Sequence, residues 1–176
     1  KIEKLLTAGS PHRGTANAYP ALAAGDIWVD DPTIQFAFTV IKKWCGATRG
    51  LSDREGIQTL VPSFFNILPV EPFLVDQKTK TLKPLGTLQN NWLPTSPFTP
   101  QLYGIDFLSL SGNNHQTLST IAVQDQTRKN GDWIDGKPTK KEYVPEGDGT
   151  VLTSNSMIEG LPNSTINQDH SGLVAS

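Results

Sequence analysis

Apolar residues fall in short runs separated by long polar stretches, and the spacing within each run predicts the elements. Lys4-Leu5-Leu6-Thr7-Ala8 is mainly apolar and is stopped by Gly9-Ser10-Pro11, the pattern of a buried strand that ends in a functional loop. From there through Asp30 the chain reads as loop and turn. Asp31-Pro32 then predicts a helix start, because an aspartate accepts from free backbone amides and proline already has the φ of the first helical position. Behind it Ile34, Phe38, Ile41 and Cys45 recur at helical spacing, with Gly46 as the expected stop.

Ser52-Asp53-Arg54-Glu55 has the form of a capping box, so a second helix is expected to begin there and to break near Pro62. Ser63-Phe64-Phe65-Asn66-Ile67-Leu68 then has room for one or two turns before Pro69. Residues 71–99, rich in proline, threonine and asparagine, read as an irregular cover or partner-contacting loop. Ile105-Asp106-Phe107-Leu108-Ser109-Leu110 alternates and ends at Ser111-Gly112, which predicts a strand. Residues 115–123 are ambiguous between helix and strand. A polar loop containing Trp133 leads to Gly147, and a short segment closes the chain before Asp169-His170. Neither a repeat nor a linker divides the chain.

Composition narrows the function classes. With 36% apolar and 18% charged residues and a net charge of -2, the chain has the make-up of a folded protein rather than a disordered one. Lysines and arginines are scattered, without the basic stripe that nucleic-acid binding needs, and Lys140-Lys141 reads as a solvated loop. The single cysteine, Cys45, has no second thiol for a disulfide or a zinc site. The apolar run from Ile34 to Cys45 is broken by Gln35 and Lys42-Lys43, so no transmembrane helix is expected. Asn163-Ser164-Thr165 fits a glycosylation acceptor. Composition leaves localisation open.

Three motifs follow one another in an informative order: Gly9-Ser10-Pro11-His12-Arg13-Gly14, then Gly147-Asp148-Gly149-Thr150-Val151, then Asp169-His170-Ser171-Gly172-Leu173. Together they resemble the C-terminal part of the lipase-like α/β-hydrolases, most closely the lecithin:cholesterol acyltransferase-like group. Pro62-Ser63-Phe64-Phe65-Asn66-Ile67-Leu68-Pro69 also resembles a stretch of that group's insertion. The resemblance implies an α/β fold in which residues 1–176 are the C-terminal half of the hydrolase sheet. The strands at 4–8, at 105–110 and before His170 would be its last three, mainly parallel strands, with a helical cap insertion at about 30–100.

The same resemblance implies Asp148 as the catalytic acid and His170 as the base of a serine-type acyl-ester hydrolase or acyltransferase. A triad carboxylate fixes the tautomer of an imidazole that removes and returns the serine proton, and acid before histidine is the order of this fold. An ordinary turn aspartate is the alternative for Asp148, since Asp-Gly is a common turn pair; the other two motifs weigh against it. Asp169 is a distant second choice for the acid. Ser10, His12, Phe64, Phe65 and Leu68 are expected to line the pocket, with His12 shaping a wall rather than moving protons, and the aromatics anchoring the cap as readily as contacting an acyl chain. His115 reads as a loop histidine. A metal site would need His12, His115 and His170 to converge, and no pair at metal-ligand spacing suggests it; no cofactor is expected.

Gly-x-Ser-x-Gly is absent, and Ser10 is followed by proline, which cannot donate an amide to an oxyanion hole. The resemblance therefore places the nucleophile and its strand upstream of Lys1. Without that partner the first strand would carry an open, aggregation-prone edge. The expected partners are this upstream half and an acyl-ester or lipid-like substrate. A hydrolase-derived binding or scaffold module without catalysis is the alternative.

Overall fold

Two three-stranded sheets and a set of short helices organise the chain, for which a computed structural model describes residues 2–28, 32–93, 100–126 and 131–175. In chain order the elements are β1 (Lys4–Ala8), α1 (Ala18–Ala24), α2 (Pro32–Arg49), α3 (Asp53–Leu60), α4 (Ser63–Asn66) and β2 (Leu74–Asp76). A 3₁₀ turn (Pro100–Tyr103) is followed by β3 (Asp106–Gly112), β4 (Thr117–Gln124), β5 (Lys137–Val144), α5 (Thr153–Ser156), β6 (Asn163–Ile166) and α6 (Gly172–Ala175).

The first sheet has the order β1-β3-β6 and is parallel throughout, with Leu5 opposite Phe107 and Ser109 opposite Asn163. The second has the order β2-β4-β5: β2 runs parallel to β4, and β4 antiparallel to β5. The chain is thus mixed α/β. The ambiguous stretch at 115–123 resolves as a strand, because Leu118, Ile121 and Val123 are buried against the core.

Several elements differ from the reading of the pattern. Residues 18–24, taken as loop and turn, form α1, every residue of which is buried. A helix buried on all sides has no polar face and hence no period to read. Pro20, which looks like a breaker, lies in the first turn, where amides have no helical partner to lose. The stretch at 71–99 is not wholly irregular, since β2 joins the second sheet; residues 94–99 lie outside the described ones. The polar loop assigned around Trp133 contains β5, with Lys140 and Lys141 on a strand rather than in a loop. Its lysines suit a sheet edge, and Lys141 sits 3.8 Å over the Trp28 ring. Helix α2 runs past Gly46 to Arg49 and closes where the Gly50 amide donates to the Gly46 carbonyl. Its expected cap, Asp31, lies outside the described residues. The capping box at α3 forms in full: Glu55 N–H donates to Ser52 Oγ, and the Ser52 amide donates to the Glu55 carboxylate.

The main apolar core lies between α1 and the second sheet, where Tyr19, Leu22, Leu68, Phe73, Leu118, Ile121 and Trp133 meet. Tyr19 packs edge-to-face on Phe73 and donates its hydroxyl to the Gly136 carbonyl at 2.7 Å; burial, with Asp135 nearby, pushes its phenol above the ordinary range. The first sheet is built the other way round. On β3 the serines Ser109 and Ser111 are fully buried, while Leu108 is exposed beside its exposed β1 partner Leu6. Ser109 donates to the Ser156 carbonyl at 2.6 Å, and Ser156 donates to Ser111 at 2.7 Å, so the inward hydroxyls are satisfied by α5.

Leu22 is wholly buried in the main core. Leu22→Ala is expected to lower unfolding free energy by about 2–5 kcal/mol, as the transfer and cavity costs add. Urea unfolding of the two proteins side by side measures it.

Candidate active site

The carboxyl ends of the first sheet bring the three motifs together. Gly9 follows β1, the Gly147–Asp148–Gly149 turn packs beyond Gly112 at the end of β3, and His170 lies four residues after β6. Parallel strands all finish on one rim, so residues far apart in sequence are delivered to one edge.

Asp148 is buried and its carboxylate is fully used. Oδ1 accepts the amides of Thr150 at 2.8 Å and Val151 at 2.7 Å, a local turn that holds the side chain in one orientation. Oδ2 faces His170 Nδ1 at 2.7 Å, and the two residues are also joined by the His170 amide, which donates to the Asp148 carbonyl at 2.9 Å. A carboxylate is an acceptor only, so Nδ1 carries the hydrogen of this bond and the lone pair of the neutral ring falls on Nε2. Nε2 has no hydrogen-bond partner among the described residues, and the His170 side chain is 43% exposed while that of Asp148 is 1% exposed. One end of the imidazole is thus anchored and the other presented.

The turn that holds Asp148 is itself fixed. Thr117, fully buried at the start of β4, accepts the Gly149 amide on Oγ1 at 2.8 Å and donates to the His115 carbonyl at 2.9 Å. His115 in turn donates its amide to Gly147, and its ring Nε2 is buried without a partner among the described residues. From the other side, Thr15 and Asn17 donate to the Thr150 carbonyl.

Two glycines make room for the pair. Gly9 has φ +57°, and a Cβ there would meet His170 Nδ1 at 2.9 Å and Asp148 Oδ2 at 3.0 Å. At Gly112 a Cβ would meet the Gln168 carbonyl at 2.3 Å and Asp148 Cβ at 2.6 Å. Thr117 and Gly112 were not singled out from sequence. Thr117 sits in the segment whose secondary structure was ambiguous, and Gly112 read only as a strand stop.

The remaining candidates make other contacts. Asp169 accepts the Gly172 amide on Oδ1 at 2.6 Å and so caps α6, next to the imidazole in sequence but turned to a different task. His12 stands within the loop after β1, its Nε2 3.0 Å from Thr7 Oγ1; Thr7 in turn donates to Ser109, so the ring nitrogen is the donor in that contact. The ring lies edge-on to Phe107, and burial holds its pKa below the ordinary histidine value of 6.5. Ser10 is half-buried beside Gly9 and accepts the His12 amide on its carbonyl. Leu68 is part of the main core, with Phe64 and Phe65 packed against it and Phe64 also against Phe38. Asn163 commits both amide hydrogens to the Ile158 and Leu161 carbonyls, a loop clasp at the start of β6. No helix among the described residues is long and apolar enough to cross a membrane. No protein-family model and no curated protein matches the chain.

Gly9→Ala is expected to force the imidazole off Asp148 and to lower stability by roughly 1–3 kcal/mol, the cost of a side chain at positive φ. A crystal structure of the variant reads the first effect, as loss of the contact between Nδ1 and Oδ2, and denaturant unfolding the second. His12 makes a pH-dependent contribution. Its folded pKa is depressed, so below pH 6.5 the unfolded chain takes up the proton first. The stability that neutral His12 contributes is complete above that pH and is lost as the pH falls through the folded value. His12→Gln should flatten that part of the stability–pH curve, measured as the difference from the parent protein between pH values above and below 6.5.

Proposed function

We propose that residues 1–176 supply the acid and the base of a serine-type acyl-ester hydrolase or acyltransferase of the lipase-like α/β-hydrolase kind. The observation that carries this is the 2.7 Å contact between Asp148 Oδ2 and His170 Nδ1, on the rim where β1, β3 and β6 end, with Nε2 left open. Catalytic side chains of open parallel sheets gather at that rim. The order along the chain, acid and then histidine, is the order of this fold.

In this reading β1, β3 and β6 are the last three strands of the sheet, and the segment at about 30–100 is a cap tied to the body through β2. The nucleophile comes from a strand-to-helix turn outside residues 1–176. The unusual polarity of the first sheet supports that. Parallel sheets are covered on both faces, yet Leu6 is 61% and Leu108 39% exposed, side by side, and the outer edge of β1 has no paired strand among the described residues. A strand laid along β1 with its helix over Leu6 and Leu108 would complete both.

The chemistry follows from the ring's two ends. Serine Oγ attacks the acyl carbon while Nε2 of His170 takes its proton, and the imidazolium so formed is stabilised by Asp148. The tetrahedral intermediate collapses as His170 returns the proton to the leaving alcohol, leaving an acyl-serine. Water or an acceptor alcohol then attacks, giving its proton to Nε2, and serine is released when His170 returns that proton. Hydrolysis and acyl transfer differ only in which acceptor reaches the acyl-enzyme.

The test uses the protein that carries residues 1–176 together with the nucleophile segment, and p-nitrophenyl esters. Asp148→Asn is expected to lower kcat about ten-thousand-fold, and His170→Ala at least as much, without loss of the fold by circular dichroism. A fluorophosphonate probe is expected to label a serine outside residues 1–176. Undiminished turnover in either variant, or a labelled serine inside these residues, contradicts the assignment.

A further inference from the structure

Asp148 and His170 share more than a side-chain contact. The peptide that joins Asp148 to Gly149 is held at both ends: its carbonyl accepts the His170 amide at 2.9 Å, and its N–H donates to Thr117 Oγ1 at 2.8 Å. The carbonyl and N–H of a trans peptide lie in one plane and point in opposite directions, so the two bonds together fix the rotation of that plane. Asp148 Cα lies in the same plane. The direction in which the carboxylate leaves the backbone toward Nδ1 therefore depends on a bond that neither side chain makes.

Thr117 makes that bond in place of a backbone group. His115 pairs with Asp148 as in a parallel ladder, and one contact of the pair is direct, from the His115 amide to the Gly147 carbonyl at 3.0 Å. The other runs through the hydroxyl, which accepts the Gly149 amide and donates to the His115 carbonyl at 2.9 Å. A hydroxyl can do both, having one hydrogen to give and lone pairs to receive. Gly147 keeps the space for it, since a Cβ there would lie 2.3 Å from Thr117 Oγ1. Thr117 is wholly buried, so bulk water does not reach the two groups it joins. Its strand is anchored as well: Thr117 lies opposite Val144 of β5, and the next residue, Leu118, belongs to the main core. The hydroxyl thus ties the turn that carries Asp148 to the packed second sheet.

We infer that Thr117 is a positioning residue: through the Asp148–Gly149 peptide its hydroxyl sets the angle at which the Asp148 carboxylate meets His170. The inference rests on the proposed acid and base. It goes beyond them by placing part of their alignment in a β4 residue that hydrogen-bonds to neither side chain.

Kinetics on p-nitrophenyl esters, with the protein that carries residues 1–176 together with the nucleophile segment, tests it. Thr117→Val keeps the branched shape and removes the hydroxyl. It is expected to lower kcat roughly hundredfold, the cost of misplacing a reacting group by about 1 Å, with KM little changed. Thr117→Ser restores the hydroxyl and should recover most of that loss. In histidine-labelled protein the downfield Hδ1 resonance of His170 should move upfield in Thr117→Val and return in Thr117→Ser. Should Thr117→Val not fold by circular dichroism, Thr117→Cys carries the same expectation, because a thiol is a weak donor and acceptor. A parent-like kcat in Thr117→Val overturns the inference, as does a fall in kcat that leaves the resonance unmoved or that Thr117→Ser does not reverse. His170→Ala separates the two levels. Where it abolishes turnover and Thr117→Val does not lower it, the positioning role alone falls; where His170→Ala leaves turnover intact, the acid–base reading falls and the role of Thr117 with it.

Discussion

One hydrogen bond organises the edge of this molecule where β1, β3 and β6 end. Asp148 and His170 meet at 2.7 Å only because the neighbouring backbone leaves them the space: glycine at the end of β1 and glycine at the end of β3 each stand where a methyl group would collide with the pair. The carboxylate is then held from behind by two amides of its own turn, the turn by Thr117, and the loop carrying Thr150 by Thr15 and Asn17. The result is an imidazole with one nitrogen tied to a buried acceptor and the other facing outward. That asymmetry is what a proton-transferring base needs.

The two sheets divide the labour. The second sheet, with α1 laid on it, holds the apolar core around Tyr19, Leu22 and Ile121 and accounts for most of the burial of large side chains. The first sheet carries the candidate site, and its inward face sets buried Phe107 beside Ser109 and Ser111, whose hydroxyls meet Ser156 of α5. Leu6 and Leu108, by contrast, are exposed. Parallel sheets are ordinarily covered on both faces, and here Leu6 and Leu108 lie exposed side by side.

Much of the site was legible in the sequence because its chemistry sits in short turns. Glycine-flanked Asp148, the turn around His170 and the Gly-Ser-Pro loop are local patterns, and the order of Asp148 before His170 needs no knowledge of distance. β1 and the capping box of α3 were legible as local patterns too, whereas the strand before His170 was expected only from the resemblance. What was not legible depends on tertiary surroundings. α1 is buried on every side and so has no period; β5 is a lysine-bearing edge strand that reads as loop; Thr117 matters through a single hydroxyl in a segment of ambiguous structure. Gly112 reads as punctuation until the side chain it would displace is seen.

The central claim is that Asp148 fixes the tautomer of His170, and nitrogen-15 NMR of histidine-labelled protein tests it most directly. In the neutral ring Nδ1 should appear as the protonated nitrogen, with its hydrogen shifted downfield by the short bond to the carboxylate, and Nε2 as the bare one. A neutral His170 protonated on Nε2, or one whose nitrogens exchange as in a free imidazole, would contradict it.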